Sequence, residues 1–368
     1  MASADNSNSE RVDTPTSEGA LADTTLDGLT RSVFRNGCYE NPWPTWKNIR
    51  FRNVLKFAFL EKNKSNVPKK EVLDDELPVM KPDFSKFDKS PHTGVCTMWV
   101  GHATVLVQFD GVTVLTDPVF SDRCSPTQWF LGHKRYRKTP CTIEDLPKVD
   151  AVVISHNHYD HLDYNSVVAL NKKFGDSLHW YVPMGLKQWM ETTGCRNVQE
   201  LDWWQEVEHP TADGETVKFV CTPCQHWSKR TLTDDFRTLW GSWSVIGPRH
   251  RFFFGGDTGY CEVFKQIGHK YGPFSLAAIP IGAYEPRWFM HPQHVNPEES
   301  VQIHEDVQSR MSVGIHWGTF TLTNEHYLEP REKLKEELEK KNLDLAEFIT
   351  LRHGEVTVLG KDAYLTVD

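Results

Sequence analysis

An apolar run passes directly into a segment rich in histidine and aspartate within residues 149–161, which read Val149-Asp150-Ala151-Val152-Val153-Ile154-Ser155-His156-Asn157-His158-Tyr159-Asp160-His161. The β-branched run predicts a buried strand, and the polar residues after it predict a turn at the strand exit. Imidazole and carboxylate groups together suit zinc and similar divalent ions. Because a strand end fixes the backbone, we expect the histidines of this segment and Asp160 to converge. Such a cluster is more specific evidence of a metal site than an isolated His-x-His pair.

Three later segments share one design, in which an apolar run ends in a residue of a metal-ligand type. They are Phe219–His226, Phe252–Gly259 and Val313–Gly318. Each one is weak evidence when it is taken alone, since an aspartate beside glycines also caps turns. Together with the histidine-rich segment they give enough donors for two metal ions with three or four protein ligands each. The seven predicted donors are His156, His158, Asp160, His161, His226, Asp257 and His316.

The composition is that of an acidic chain that can form a large core. The 368 residues carry a net charge of −9, and 39% of them are hydrophobic, which allows one large domain or two smaller ones. The acidic balance argues against nucleic acid as the main partner, because phosphate binding needs a basic face. The polar start predicts no secretory signal peptide and reduced cysteines. No apolar run reaches the roughly 18–20 residues of a spanning helix.

Composition and pattern divide the chain into three parts. Residues 1–35 are rich in Ser, Thr, Asp, Asn and Gly and predict a disordered N-terminal tail. Residues 36–92 form an N-terminal extension with a predicted helix at Asn53–Lys62. This helix either docks on the core or lies in a membrane interface with its basic neighbours near the head groups. Residues 93–368 form the predicted catalytic domain.

From about residue 94 onward, short β-branched and aromatic runs alternate with helical patterns. Asp110-Gly111 predicts a two-residue hairpin turn. The predicted strands are 96–100, 104–109, 112–116, 149–155, 179–183, 217–222, 238–246, 251–254, 277–281, 312–316 and 356–359. The predicted helices are 165–173, 185–192, 297–309 and 330–341. This order predicts the α/β class, with two mixed sheets packed together and helices outside, a four-layer αβ/βα sandwich.

These motifs resemble the metallo-β-lactamase superfamily. Trp99–Thr104 followed by Leu115–Pro118 is similar to its lactonase and phospholipase branch. Longer segments resemble the phospholipases D that hydrolyse N-acylphosphatidylethanolamine, and the resemblance covers residues 40–358. These segments are 41–46, 155–164, 200–204, 226–232, 239–245, 277–290, 315–320 and 324–330.

The resemblance implies the metallo-β-lactamase form of the four-layer sandwich and two Zn²⁺ ions per chain. One zinc ion is implied at positions like His156, His158 and His226. The second zinc ion is implied at positions like Asp160, His161 and His316, and Asp257 is implied to bridge the two. All seven residues are present in this chain, so the resemblance implies an active enzyme.

The resemblance also implies catalytic and substrate-binding residues around the metals. Asp160 is expected to orient the attacking water, and Asp117 to hold a ligand imidazole in one tautomer or, alternatively, to cap the turn before a proline. Tyr159 and His294 are expected to face the substrate phosphate. His294 would position a phosphoryl oxygen or protonate the leaving group. We interpret His102 as a structural or supporting histidine, and the aromatic segment 284–290 as a lipid-facing lip or a buried cluster.

The implied activity is zinc-dependent hydrolysis of N-acylphosphatidylethanolamine to N-acylethanolamine and phosphatidic acid, a step of phospholipid degradation and N-acylethanolamine biosynthesis. One alternative is a hydrolase of the same fold acting on a lactone or another phosphodiester. A second alternative is a non-catalytic, metal-stabilised lipid-binding protein. The resemblance further implies a homodimer that is peripheral on internal membranes of the Golgi or endosomal type, with its active site toward the cytosol.

Overall fold

Two seven-stranded sheets form the centre of the molecule in the computed structural model, which describes residues 28–48, 51–61, 63–88 and 94–359. In chain order the strands are β1 (Val33–Arg35), β2 (Cys38–Glu40), β3 (Val95–Gly101), β4 (Thr104–Phe109), β5 (Val112–Thr116), β6 (Arg123–Cys124), β7 (His133–Lys134), β8 (Ala151–Val153), β9 (His179–Pro183), β10 (Asn197–Leu201), β11 (Glu206–Pro210), β12 (Thr216–Thr222), β13 (Ser242–Ile246), β14 (Arg251–Phe254), β15 (Leu276–Pro280), β16 (Ser312–Ile315), β17 (Phe348–Ile349) and β18 (Val356–Leu359). The helices are α1 (Phe51–Leu60), α2 (Lys70–Glu76), α3 (Ser85–Asp88), α4 (Tyr164–Phe174), α5 (Lys187–Thr192), α6 (Val263–Tyr271), α7 (Arg287–Met290), α8 (Pro297–Asp306) and α9 (Glu329–Lys341).

Both sheets are mixed, and each has a parallel part and an antiparallel part. The first sheet has the strand order β10-β9-β8-β5-β4-β3-β18, parallel from β10 to β5 and antiparallel from β5 to β18. The second has the order β11-β12-β13-β14-β15-β16-β17, antiparallel as far as β14 and parallel beyond it. The predicted α/β sandwich of two mixed sheets is therefore confirmed.

Strand β3 shows how the layers are built, because its side chains alternate between two hydrophobic clusters. Val95 and Trp99 belong to the cluster between the sheets, whereas Cys96 and Met98 belong to the cluster that includes residues of α4 and α5. A strand that is covered on both faces is apolar at nearly every position. The same alternation explains why the core strands have continuous apolar sequences.

The N-terminal segment packs on this sandwich. β1 pairs with β2 in an antiparallel hairpin, so the predicted disordered tail is wrong at its C-terminal boundary of residue 35, and residues 1–27 lie outside the described ranges. Trp43 and Leu73 are buried in the cluster between the sheets. The predicted extension therefore contributes residues to the same core. No helix in the described part of the chain is long and apolar enough to cross a bilayer.

The predicted helix at Asn53–Lys62 begins two residues earlier, and it packs against the aromatic segment 284–290. The rings of Phe57 and Phe289 stack at a centroid distance of 5.2 Å, and the ammonium group of Lys56 lies 4.0 Å from the ring centroid of Trp288. Tyr284 and Met290 are buried. Most of this aromatic segment is therefore an internal contact, with Trp288 as its exposed member.

Candidate metal centre

Loops at one edge of the sandwich carry the side chains of the predicted metal site. β5 and β8 are parallel neighbours, and β12, β14 and β16 share one direction in the second sheet. Their carboxyl ends meet at this edge. The loops after these strands bring together all seven predicted donors: His156, His158, Asp160 and His161 after β8, His226 after β12, Asp257 after β14 and His316 after β16.

Three imidazole nitrogens of the first group point toward a common centre. His158 Nδ1 lies 2.7 Å from His156 Nε2 and 3.3 Å from His226 Nε2. Nitrogen ligands in a tetrahedral zinc site sit about 2.0–2.1 Å from the ion, so they lie roughly 3.3 Å from one another. This spacing fits three ligands of one divalent ion.

A second group forms around the carboxylate of Asp160. Its Oδ2 atom lies 3.5 Å from His161 Nε2 and 3.6 Å from His316 Nε2. His102 Nε2 lies 3.1 Å from the same oxygen in a hydrogen bond. His102, which we interpreted from the sequence as a structural or supporting histidine, therefore contacts one of the donors, Asp160.

Asp257 lies between the two groups. Its Oδ2 atom is 3.1 Å from His161 Nε2 and 3.8 Å from His226 Nε2. Its Oδ1 atom is 3.0 Å from His316 Nε2. One carboxylate that faces both groups can serve as a bridging ligand.

Several buried polar atoms of this centre have no hydrogen-bond partner among the described residues. They are His158 Nε2, His161 Nε2, Asp257 Oδ1, His294 Nδ1 and both ring nitrogens of His316. Buried polar atoms are rarely left unpaired in folded proteins. Imidazole nitrogen and carboxylate oxygen are also the donors that zinc and its neighbours prefer. The residues therefore fit a divalent metal centre better than a self-contained hydrogen-bond network.

The backbone is strained at three positions around the site. His102 (φ 54°), Asp117 (φ 31°) and His316 (φ 61°) all lie in the left-handed region, which non-glycine residues seldom adopt. His102 N donates to Thr319 Oγ1 at 2.8 Å, and His316 N donates to His102 O at 3.0 Å. Such strain persists where the surroundings hold the backbone firmly, and it is common at functional sites.

Asp117 and Ser155 fix the rings of two histidine donors. His161 Nδ1 lies 2.6 Å from Asp117 Oδ2, and Ser155 Oγ lies 2.9 Å from His156 Nδ1. Ser155 in turn donates to Asp117 through its backbone N at 2.7 Å and its hydroxyl at 2.5 Å. With the Nδ1 protons used in this way, the Nε2 atoms of both rings are left to face the candidate metal centre. Asp117 therefore contacts the ring of His161 directly.

The His226 loop is held from behind by residues that the sequence analysis missed. His226 Nδ1 donates to Gln293 O at 3.0 Å, which leaves its Nε2 free to bind a metal. Asn41 Nδ2 donates to His226 O at 2.7 Å, and Trp43 Nε1 donates to Cys224 O at 3.2 Å. The N-terminal segment therefore orients one loop of the site. The resemblance of residues 41–46 to the family was a signal that this segment matters, but it gave no role.

Burial keeps the first group of imidazoles neutral. It lowers the pKa of His156 and His226 well below the ordinary value. It also lowers the pKa of His158 to about 4. Since only a neutral imidazole has a lone pair for a metal ion, this group is ready to bind at neutral pH.

The carboxylates draw positive charge into the second group. Burial raises the pKa of Asp257, but His161 and His316 outweigh it and hold that pKa well below its usual range. Burial likewise raises the pKa of Asp160, and His161 and the hydrogen bond from His102 outweigh it. For His316, burial lowers the pKa, while Asp257 and Asp160 raise it to about 9. Both carboxylates are therefore ionised in a site that favours cations.

A cavity of about 620 Å³ opens onto the centre. Its polar wall includes His158, Tyr159, Asp160, Asp257 and His294. Its apolar wall includes Cys124, Pro126, Trp227, Leu232, Met290 and Leu322. A pocket of this size and mixed character suits a ligand with a polar head and an apolar remainder.

The two predicted substrate-contacting residues both line this cavity. Tyr159 donates its hydroxyl to Arg230 O at 3.0 Å, and the guanidinium group of Arg230 lies 4.3 Å from its ring centroid. His294 Nδ1 lies 3.9 Å from Asp257 Oδ2. Burial lowers the pKa of His294 to about 3, so its imidazole is neutral at physiological pH.

The fold and the donor set define the class of the protein, a metallo-hydrolase fold of the β-lactamase superfamily. The family described as "Beta-lactamase superfamily domain" matches residues 112–317, more than half of the chain. Among solved structures, Igni18, a metallo hydrolase from the archaeon Ignicoccus hospitalis, is similar with a TM-score of 0.53 and 21% sequence identity. That match covers 73% of this chain and 99% of the archaeal one, and at this identity it supports the fold alone.

Closer relatives narrow the class to one family. The chain is 46% identical over 335 residues to N-acyl-phosphatidylethanolamine-hydrolyzing phospholipase D 1 of Caenorhabditis elegans, covering 88% of this chain and 93% of the relative. It is 39% identical over 244 residues to the mitochondrial N-acyl-phosphatidylethanolamine-hydrolyzing phospholipase D of Saccharomyces cerevisiae, covering 66% of this chain and 51% of the relative. The chain belongs to the family of N-acyl-phosphatidylethanolamine-hydrolysing phospholipases D.

Proposed function

We propose that this protein is a zinc-dependent phosphodiesterase that hydrolyses N-acylphosphatidylethanolamine to N-acylethanolamine and phosphatidic acid. The observation that carries this proposal is the convergence of seven imidazole and carboxylate donors, three of which line a cavity that also has a group of apolar residues in its wall. A phosphodiester lipid matches this cavity, because its anionic phosphate binds cations and its acyl chains pack on apolar surface. Membership in the family supports the same substrate.

The seven donors would hold two divalent ions in the proposed arrangement. His156, His158 and His226 would hold one ion. Asp160, His161 and His316 would hold the other ion, with Asp257 shared. When bound, the ions supply Lewis-acid stabilisation of the phosphoryl oxygens and lower the pKa of water to near neutrality.

The remaining side chains have the following proposed roles. Asp160 faces the cavity, where it would accept a hydrogen bond from the water that attacks phosphorus. His294 is neutral in this environment, which favours donation of a hydrogen bond to a phosphoryl oxygen over protonation of the leaving group. Tyr159 would contact the phosphate neighbourhood from the opposite loop. Asp117 would act through His161 by fixing its tautomer.

The proposal is tested by elemental analysis of the purified protein beside an assay of N-acylethanolamine release from mixed micelles. We expect about two zinc ions per chain and loss of turnover when a chelator removes them. Asp160→Asn should lower turnover by well over tenfold while the fold is retained. Asp176→Asn is the matched control, because it removes a carboxylate of an exposed surface pair with Arg196.

The possible outcomes separate the alternatives. A metal-loaded protein that leaves the phospholipid intact but cleaves a lactone or another phosphodiester would overturn the substrate. Turnover of Asp160→Asn within tenfold of the unmutated protein would overturn the role of that carboxylate. A metal-free active protein would overturn the metal centre itself.

The proposed substrate also supports proposals about the setting in which the enzyme acts. A lipid with two or more long chains resides in a membrane, so we propose that the protein works at a membrane surface. The resemblance to the phospholipase D family supports a homodimer on internal membranes of the Golgi or endosomal type. Vesicle binding, light scattering and localisation by microscopy test these three statements separately.

A further inference from the structure

A small hairpin carries a cluster of large apolar side chains at its tip. Strands β6 and β7 pair through Arg123–Lys134 and Cys124–His133, and the connecting residues 125–132 project from them. Within this connection Trp129 is 87% exposed, Phe130 is 75% exposed and Leu131 is 51% exposed. Contiguous large apolar groups are rarely left in water unless they have a partner.

Hydrogen bonds hold both the base of the hairpin and its connecting loop, so the exposure of the tip is fixed by the fold. Arg135, next to β7, is buried and donates to Ser121 O at 2.9 Å and to Val119 O at 2.6 Å. Gln128 closes the loop, since its amide accepts from Arg123 N and donates to Arg123 O, each at 3.0 Å. The tip is thus held away from the core.

The inner side of the same hairpin forms part of the wall of the active-site cavity. Cys124, Pro126 and His133 line that cavity, and so does Leu232 on a separate loop. Leu232 is 93% exposed. The apolar tip and Leu232 therefore stand beside the mouth of the cavity that leads to the metal centre.

The charges of the hairpin fit an anionic surface. Arg123 and Lys134 face each other across the two strands behind the tip. From Arg123 to Lys134 the sequence contains no acidic residue, although the whole chain is acidic. Aromatic side chains with basic residues behind them are typical of elements that enter the interface of a phospholipid bilayer.

We propose that Trp129, Phe130 and Leu131, together with Leu232, insert into a phospholipid surface and set the cavity mouth against it. A lipid could then move its head group from the surface to the metal centre without exposing its chains to water. The identity of the lipid rests on the proposed function, but the insertion does not. The N-terminal helix α1 is a separate element, because its Phe57 packs on Phe289.

The test compares Trp129→Asp/Phe130→Asp with the control Val72→Asp/Leu345→Asp, which changes two exposed apolar residues elsewhere. Each protein, carrying its metals, is sedimented with mixed phosphatidylcholine–phosphatidylserine vesicles. Each is also assayed on a short-chain, monomeric N-acylphosphatidylethanolamine. Transfer of a large apolar side chain from water is worth roughly tenfold or more in partitioning. We expect vesicle affinity to fall by roughly a hundredfold in the tip variant. The control variant should bind vesicles with the affinity of the unmutated protein. Turnover of the monomeric lipid should be unchanged.

Wild-type vesicle affinity in the tip variant would overturn the proposal, as would an unmutated protein that does not bind vesicles. The alternative partner for the tip is a second copy of this chain, and light scattering of the protein without lipid tests for it. Conversion of an oligomer to a monomer by the tip variant would assign the tip to self-association and overturn the lipid surface. If vesicle binding depends on the tip but the protein does not cleave N-acylphosphatidylethanolamine, the insertion stands and the proposed function is refuted.

Discussion

Among the described residues, buried carboxylate and imidazole groups meet at both ends of the β4 and β14 strands. At one end, Asp110 and His250 join the β4–β5 turn to the β13–β14 turn. At the other end lie His102 and Asp257 of the metal centre. The two ends are roughly 20 Å apart, since each strand rises about 3.3 Å per residue. The two clusters share their chemistry and their burial but differ in how the carboxylate oxygens are used.

The oxygens of Asp110 are fully engaged by donors. Oδ2 accepts from the backbone N of Arg249 and His250 at 2.9 and 2.8 Å. Oδ1 accepts from Arg249 Nε at 3.1 Å and from His250 Nδ1 at 2.9 Å. Asp257 Oδ1 has no hydrogen-bond partner among the described residues, although His316 Nε2 is 3.0 Å away. Donor geometry, more than residue type, distinguishes the fully hydrogen-bonded Asp110 cluster from the candidate metal site.

Asp257→Asn should have the largest effect, and it should act only on the metal end. Loss of the shared carboxylate is expected to lower turnover by roughly a thousandfold or more, because the ions supply several kcal/mol to the transition state. Adding zinc to the metal-free protein raises its unfolding free energy, and this gain should be smaller in the variant. Steady-state assays and thermal melts with and without chelator measure both. An unchanged zinc-dependent gain would contradict the bridging position.

Asp110→Asn should affect stability alone. Asparagine keeps the size of the side chain and tolerates the left-handed backbone of Asp110 (φ 46°), but it cannot accept four hydrogen bonds as an anion. We expect a loss of about 3 kcal/mol in unfolding free energy at pH 7, measured by urea denaturation. Turnover per folded, metal-loaded molecule should match the unmutated protein. A tenfold loss of turnover with unchanged stability would remove the contrast between the clusters.

The pH dependence of this loss follows from the pKa of Asp110. Burial raises that pKa, but the hydrogen bonds from His250 and Arg249 outweigh it and place it below the ordinary value of 3.8. A depressed pKa in the folded state contributes stability above the unfolded pKa, and the contribution is lost as pH falls through the folded value. The difference between the two proteins should therefore be constant near neutrality and shrink below pH 3.8.

The sequence predicted the strands with a strong apolar pattern and missed those at the margins. Strands β4, β5, β9, β14 and β18 have the predicted bounds. β10 and β11 are outer strands of their sheets with half-exposed, polar sequences, so they carry little periodic signal. Helix α6 was missed because Gly268 weakens its helical pattern. That glycine lets α6 approach Asp306 of α8 closely, a requirement that only the packed structure reveals.

The same distinction applies to the candidate site. The seven donors were predictable because each follows an apolar run, so that local pattern and topology agree. Ser155, Gln293 and Asn41 were not predicted, since their importance comes from contacts across the fold. Asn41 and His226 are 185 residues apart in sequence. An isolated asparagine in a proline-rich stretch gives no local sign of such a contact.

Metal affinity should sharpen the comparison through its pH dependence. Burial lowers the pKa of His316, while Asp257 and Asp160 raise it to about 9, so metal must displace a proton at neutral pH. Burial lowers the pKa of His161, but Asp257 and Asp160 outweigh it and raise that pKa well above its ordinary value, so this ring must lose a proton as well. Affinity for Co²⁺ is therefore expected to rise by at least roughly a hundredfold between pH 7 and 9, at least one decade per unit. In the metal-free protein the raised pKa contributes stability that is present below 6.5 and is lost as pH rises through about 9.

Absorption titrations of the chelated protein with Co²⁺ at several pH values measure this effect, and denaturation at the same pH values measures the loss of stability. The Asp110 carboxylate does not titrate in this window, because the hydrogen bonds from His250 and Arg249 outweigh burial and hold its pKa below 3.8. A flat affinity across the interval would show that no proton is displaced. That result would place both His316 and His161 outside the ligand set.

Asn41→Ala should have the smallest effect, and it tests whether the metal end depends on the N-terminal segment. The variant removes the donor at 2.7 Å from His226 O, so the loop loses one of its supports while every ligand remains. Supporting contacts of this kind are worth roughly 10–100-fold in metal affinity, and we expect the lower value because Gln293 still holds the ring. Asn48→Ala is the matched control, since its side chain accepts from Trp46 Nε1 at the surface. Equal Co²⁺ affinities for the two variants would contradict the positioning role. Weaker binding by Asn41→Ala alone, with His226 still present, would establish that this segment shapes a site more than a hundred residues away.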